Sequence, residues 1–178
     1  MTVSAEPAIY LISGPMAAGK SSVARALAER FARSVHLEGD VFRRSVVRGR
    51  AEMTPDASAE ARAQLQLRYG LATAAADAYL AAGFTVALED VFAPEQLGEL
   101  RTSIVGRPCH VIVLLPSLAA IAARDRGRAE KGYGAWTVEQ LHAVFTAVPV
   151  RVGAWLDTSE LTVEETVDRI LAETSDGA

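Results

Sequence analysis

One cysteine, Cys109, in a chain of 178 residues removes two classes of protein at once. It permits no intrachain disulfide framework and no cysteine-based zinc site, so a reducing compartment, the cytoplasm, is expected. Cys109 itself reads as an inert buried thiol. Histidine is nearly as scarce. His36, His110 and His142 show no metal-ligand spacing and read as structural. A basic excess is lacking too: a net charge of −4 and a pI near 5.4 give no global attraction to nucleic acid or an anionic membrane. No apolar run is long enough to span a bilayer, and "MTVSAEPAIYLISG" has no basic n-region, so neither membrane insertion nor export is expected. The patterns G-x-S-x-G, H-E-x-x-H and GxGxxG are missing, which sets aside triad hydrolases, zinc proteases and dinucleotide enzymes. There is no internal repeat, linker or low-complexity stretch.

What is present is a globular composition, half hydrophobic with ordinary charge, that fits one domain over residues 1–178 with a single core. Periodicity alternates between strands and helices. "AIYLIS" (8–13), "SVHLEGD" (34–40), "FTVALEDVF" (84–92), "HVIVLL" (110–115) and "GAWLDTS" (153–159) read as five short strands. Val23, Leu27 and Phe31 stripe a helix from Lys20 to near Arg33. Leu65, Tyr69, Ala72, Ala76 and Leu80 stripe a longer one that Gly83 stops. Pro94 opens a helix carrying Leu97, Leu100 and Ile104, and Ser117 caps another. Thr137 with Gln140 and Thr162 with Glu165 match capping boxes. Five strands separated by helices imply right-handed crossovers and an α/β fold, a parallel sheet covered on both faces.

Between the first strand and its helix lies "GPMAAGKSS", Gly14 to Ser22, which fits G-x-x-x-x-G-K-[ST]. Gly14 and Gly19 let the backbone turn and aim the amides of Ala17, Ala18, Gly19 and the residues through Ser22 at a phosphate. The helix N-terminus adds partial positive charge. Lys20 can reach β- and γ-phosphates, and the Ser21 hydroxyl can ligate Mg²⁺. ATP and Mg²⁺ are the expected cofactors.

In parallel sheets the ligand site gathers at the carboxyl ends of the strands. After the second strand, Asp40 is the candidate general base, or else the cap of the next helix, with Glu38 a weaker rival. Arg43 or Arg44 is a candidate for holding an acceptor. After the third strand, Glu89-Asp90 resembles a metal-orienting strand end, and Asp90 is chosen by its spacing from Phe84. Arg124, Arg126, Arg128 and Lys131 mark a basic lid over residues 124–136, able to neutralise transition-state charge. Tyr133 and Trp136 either stack on a substrate or anchor that lid.

Taken together, "GPMAAGKSS", "GDVFRR", "EDVF", "RDRGR" and "LDTSELTVEETVDRIL" resemble the small P-loop kinases built like nucleoside monophosphate kinases. These include gluconate kinase, adenylylsulfate kinase, chloramphenicol phosphotransferase and zeta-toxin-like enzymes. The resemblance implies a three-layer P-loop NTPase fold with strand order 2-3-1-4-5, Asp40 as base, and adenine near Thr158 to Thr162. It also implies transfer of the ATP γ-phosphoryl group to a hydroxyl of a small molecule, whether antibiotic, sugar or metabolite. A nucleotide or polynucleotide 5′-end as acceptor and an ATP-binding regulator without turnover are the alternatives. The segment from Val46 to Glu60 carries no motif that names an acceptor, and oligomeric state is not readable.

Overall fold

The computed structural model describes residues 6–104, 108–126 and 135–175. Its centre is a five-stranded parallel sheet in the order β2-β3-β1-β4-β5. The strands are β1 (Ile9–Ser13), β2 (Ser34–Glu38), β3 (Thr85–Glu89), β4 (Cys109–Leu114) and β5 (Ala154–Leu156). All five residues of β1 and of β3 are buried, as expected where helices cover both faces. Alternation divides β1 between two cores. Tyr10 and Ile12 join Val23, Ala24 and Leu27 of α1 (Lys20–Ala28) and Val167 and Ile170 of α7 (Val163–Ser175). Ile9 and Leu11 face the other way, onto Tyr69, Ala72, Ala76 and Leu80 of α3 (Ala59–Ala81).

The rest of that second face is covered by Leu97 and Leu100 of α4 (Leu97–Ser103) and Phe145 of α6 (Val138–Thr146). Two further α-helices, α2 (Asp40–Arg44) after β2 and α5 (Leu118–Arg126) after β4, and a 3-10 turn at Pro94–Gln96 leading into α4 complete the order. Both capping boxes form. Thr137 Oγ1 accepts from Gln140 N at 3.2 Å, and Thr162 Oγ1 accepts from Glu165 N at 3.2 Å while Glu165 returns a carboxylate to Thr162 N. Ser117 caps α5 through Ala120 N at 3.3 Å.

One boundary differs from expectation. Helix α1 ends at Ala28, five residues before Arg33, and Arg30 N and Phe31 N bond to Leu27 O and Ala28 O in tighter i to i−3 turns. Phe31 nevertheless reaches the core, with its ring centroid 5.6 Å from that of Tyr10. The apolar spacing therefore signalled burial correctly and helical continuation wrongly. Among the described residues no helix is long and apolar enough to cross a membrane.

Candidate active site

The loop after β1 is shaped by backbone that most residues avoid. Gly14 has φ +147°, and a Cβ there would run into the Leu114 carbonyl of β4. Gly19 has φ +96°, and Ala17, at φ +59°, is the one non-glycine with positive φ among the described residues. Left-handed residues between right-handed ones turn successive amides toward a common centre, the geometry of an anion nest. Gly14→Ala is expected to destabilise the chain by at least about 1–3 kcal/mol, because the obstacle is backbone rather than a movable side chain. The urea midpoint measures this.

Lys20, the first residue of α1, is only 8% exposed and lies back over the loop. Its ammonium donates to Gly14 O and Pro15 O, each at 3.0 Å. A lysine in that position stands beside the same concavity that the amides face. Ser22 is exposed beside the space between α1 and β2.

Ser21 brings the first correction. Its hydroxyl donates to Glu89 Oε1 at 2.8 Å, not to Asp90. Strand period explains the change. Glu89 ends β3 on the face of Ala87, toward α1, whereas Asp90, one residue later, turns toward α3. There Asp90 is 3% exposed and holds the Arg68 guanidinium through both oxygens; its Oδ2 accepts from Arg68 Nε at 2.6 Å. Asp90 Oδ1 also accepts from Val91 N at 2.6 Å. Gly39 makes room for this pair, because a Cβ at that position would overlap the Asp90 carboxylate. Asp90 thus shapes the site through Arg68 and does not face Ser21. A hydroxyl and a carboxylate beside a phosphate nest form an all-oxygen donor set that fits Mg²⁺.

Asp40 opens α2 immediately after β2 and sits among arginines. Arg43 grips it with Nε to Oδ1 at 2.7 Å and Nη2 to Oδ2 at 3.3 Å. Arg44 Nη1 reaches Oδ2 at 2.9 Å, and Arg68 Nη1 lies 3.3 Å from Oδ1. Partial burial alone would raise the Asp40 pKa, but the Arg43 hydrogen bonds and the charges of Arg68, Arg43 and Arg44 together hold it below 3.8. Linkage fixes the sign: these pairs stabilise the fold above the unfolded pKa and are lost as pH falls through the lowered folded value. A carboxyl NMR titration is therefore expected to place the Asp40 midpoint below 3.8, while a midpoint above it would contradict the cluster.

Arg68 escaped the sequence reading. It lies three residues after Leu65 and four before Ala72, on the apolar stripe of α3, with a side chain only 14% exposed. A charged residue on a buried stripe was the available signal. Each arginine around Asp40 already faces carboxylates: Arg43 meets Glu52 as well as Asp40, Arg44 meets Glu38, Arg50 meets Glu52, and Arg68 meets Asp90.

On the opposite side of the loop, Arg124 of α5 donates to Ala18 O at 3.2 Å and to Thr158 O at 2.5 Å. It joins the phosphate loop to the segment after β5. Trp136 donates its indole N–H to Met53 O at 3.0 Å, which ties it to the stretch before α3. Arg128, Lys131 and Tyr133 lie outside the described residues, as does the middle, 127–134, of the segment 124–136 expected as a lid. His110 stacks on Tyr10 with centroids 5.0 Å apart, a packing role. Burial pushes the Cys109 thiol up to about 11, which keeps it protonated and unreactive near neutral pH.

The AAA domain profile matches residues 9–166. Comparison with the curated proteins finds no match. Among solved structures, the gluconokinase of Sinorhizobium meliloti 1021 is 22% identical, with a TM-score of 0.62 and coverage of 98% of this chain and 95% of that one. The APS kinase CysC of Mycobacterium tuberculosis, in complex with AMPPNP and APS, is 18% identical at a TM-score of 0.62, covering 97% and 99% of the two chains. The tunicamycin resistance protein of Deinococcus radiodurans is 19% identical at a TM-score of 0.65, covering 94% and 95%. At such identities the likeness concerns the fold. The family match, in contrast, runs from β1 into α7 and takes in every site residue described above, so the chain belongs to the AAA domain family and carries its P-loop fold.

Proposed function

We propose that the chain is an ATP-dependent kinase that moves the γ-phosphoryl group onto a hydroxyl of a small molecule. The observation that carries this reading is the placement of Asp40 on the strand end beyond β3, while Ser21 and Glu89 meet beside the phosphate loop. A regulator that only holds ATP has no use for a second, separately built carboxylate site. Several structural relatives are kinases by name, among them a gluconokinase and an APS kinase, which supports the reaction class and leaves the acceptor open.

In this reading the loop amides and Lys20 hold the β- and γ-phosphates, and Ser21 and Glu89 hold Mg²⁺. The cation would neutralise charge on the bridging phosphates. Asp40 accepts the hydrogen bond of the acceptor hydroxyl and aims its oxygen at phosphorus. Its depressed pKa makes it a weak base, suited to a reaction in which the proton leaves late and positioning dominates. Arg43, Arg44 and Arg68 fix that carboxylate rather than offer spare charge, which favours an uncharged hydroxyl group over an anionic one at this position. Arg124 stands where the nucleotide side of the loop meets the Thr158 segment, and Arg128 and Tyr133 remain lid candidates.

Asp40→Asn is expected to lower kcat by about 10²–10⁴-fold. Near-full kcat in this variant would remove the hydroxyl-positioning role and favour a phosphate acceptor, which needs no base. The deciding experiment follows radiolabelled γ-phosphate from Mg·ATP onto hydroxylated antibiotics, sugars, metabolites, nucleosides and nucleotides, with Lys20→Ala as control. Label on one acceptor class that disappears in the control supports the proposal. Tight ATP binding with no labelled product from any class favours the regulator.

A further inference from the structure

A groove of about 300 Å³ runs between α1 and the edge strand β2, with Ser22, Glu29, His36 and Glu38 on its walls. Ser21, at the mouth of the phosphate loop, lines it as well. His36 and Glu38 are two residues apart on β2, so both face α1. Glu89 stands directly opposite Glu38 in the β2–β3 register. One ligand atom from each of His36, Glu38 and Glu89 lies within 4.8 Å of the other two. No spacing rule reveals this set, because Glu89 comes from another strand.

Three independent features suggest that this arrangement serves a ligand. The Nε2 of His36 is buried and has no hydrogen-bond partner among the described residues, a rare condition for a ring nitrogen in a folded chain. Two carboxylates directly opposite each other on neighbouring strands repel. Each carboxylate is also only half engaged. Glu38 uses Oε2 for Arg44 and Glu89 uses Oε1 for Ser21, while the second oxygen of each has no protein hydrogen bond among the described residues. A cation between them answers all three features together.

We propose that His36, Glu38 and Glu89 form a site for a divalent first-row transition-metal cation that fills without nucleotide. One imidazole and two carboxylates suit Zn²⁺, or Mn²⁺ as a harder first-row ion held largely by the carboxylates, better than Ca²⁺ or Mg²⁺, which prefer oxygen alone. This site differs from the nucleotide-dependent Mg²⁺ position, which uses the Ser21 hydroxyl and the other oxygen of Glu89. It does not depend on which acceptor the chain uses, or on whether it turns ATP over.

The test is a titration of the metal-free, full chain with MnCl₂ in the absence of nucleotide, with free Mn²⁺ read by electron paramagnetic resonance. One equivalent is expected to bind, and His36→Gln and Glu38→Gln are each expected to raise Kd about tenfold or more. Ser21→Ala is expected to bind as the parent does. Circular dichroism melts confirm that each variant is folded, and two separate ligand variants keep the result decisive if one is not. Three outcomes overturn the site: no Mn²⁺ bound below millimolar concentration, an unchanged Kd in His36→Gln, or loss of binding in Ser21→Ala. The last would move the ion to the phosphate loop. Phosphoryl transfer does not enter this measurement, so failure here and failure of the kinase reading remain separate.

Discussion

Lys20→Met is expected to reduce turnover by about 10²–10³-fold, the usual cost of losing one preorganised charge from a transferring phosphoryl group. The reason lies in where the ammonium sits. It is buried, and it donates to the carbonyls of Gly14 and Pro15 at 3.0 Å. In the proposed kinase, phosphates in the nest would take the ammonium over from those carbonyls, as charged oxygens make stronger partners. Methionine keeps the volume and the apolar stem but offers nothing to the phosphates, so ATP affinity should weaken as well. The fold should tolerate the change better than the chemistry does, since a methionine side chain packs without a charge to satisfy. Steady-state kinetics and a thermal melt on the same preparation separate the two effects. A variant with full kcat would mean that the loop does not hold the transferred group.

Arg68→Leu is expected to have the largest effect on stability. Its partner Asp90 has a side chain only 1% exposed, and removing the guanidinium leaves a buried carboxylate without its counter-charge. Breaking such a pair from one side costs about 3–5 kcal/mol, which for a chain of this size lowers Tm by roughly 6–20 °C. Removing the charge from both sides should hurt less than removing it from one. The double variant Arg68→Leu with Asp90→Asn is therefore expected to melt above Arg68→Leu alone, with a coupling that a double-mutant cycle reads directly. Strictly additive effects would show that the pair does not act as a unit. Because Arg68 also approaches Asp40, the single variant should lose acceptor turnover even at temperatures where it remains folded.

Contiguity decided what the sequence could reveal. The phosphate loop and both capping boxes are legible because all their parts lie within a few residues, and local backbone geometry needs only those. The choice between Glu89 and Asp90 was not legible in the same way. On a strand one residue of phase exchanges the two faces, and counting from Phe84 instead of locating the strand at Thr85–Glu89 selected the wrong neighbour for Ser21. Arg68 needed the phase of a helix of 23 residues before its position on the buried stripe meant anything. The end of α1 was hidden by Phe31, which stays on the apolar face although the helix has already stopped. The grouping of His36 with Glu38 and Glu89 depends on the pairing of β2 with β3, which no local pattern encodes.

The position of β2 has a consequence for redesign. It lies at one border of the sheet, and all five of its residues are only half-buried, whereas β1 and β3 are fully enclosed. The phosphate loop is therefore welded into both cores, and the strand end that carries Asp40, the proposed acceptor side, hangs from the rim. Exposed positions of this rim, such as Val47 and Arg48, can be combined and screened without repacking the interior, provided that Leu37, Phe42, Ala57, Asp40, His36 and Glu38 are kept. A library aimed at a new acceptor should spend its diversity there and leave Gly14 to Val23 alone.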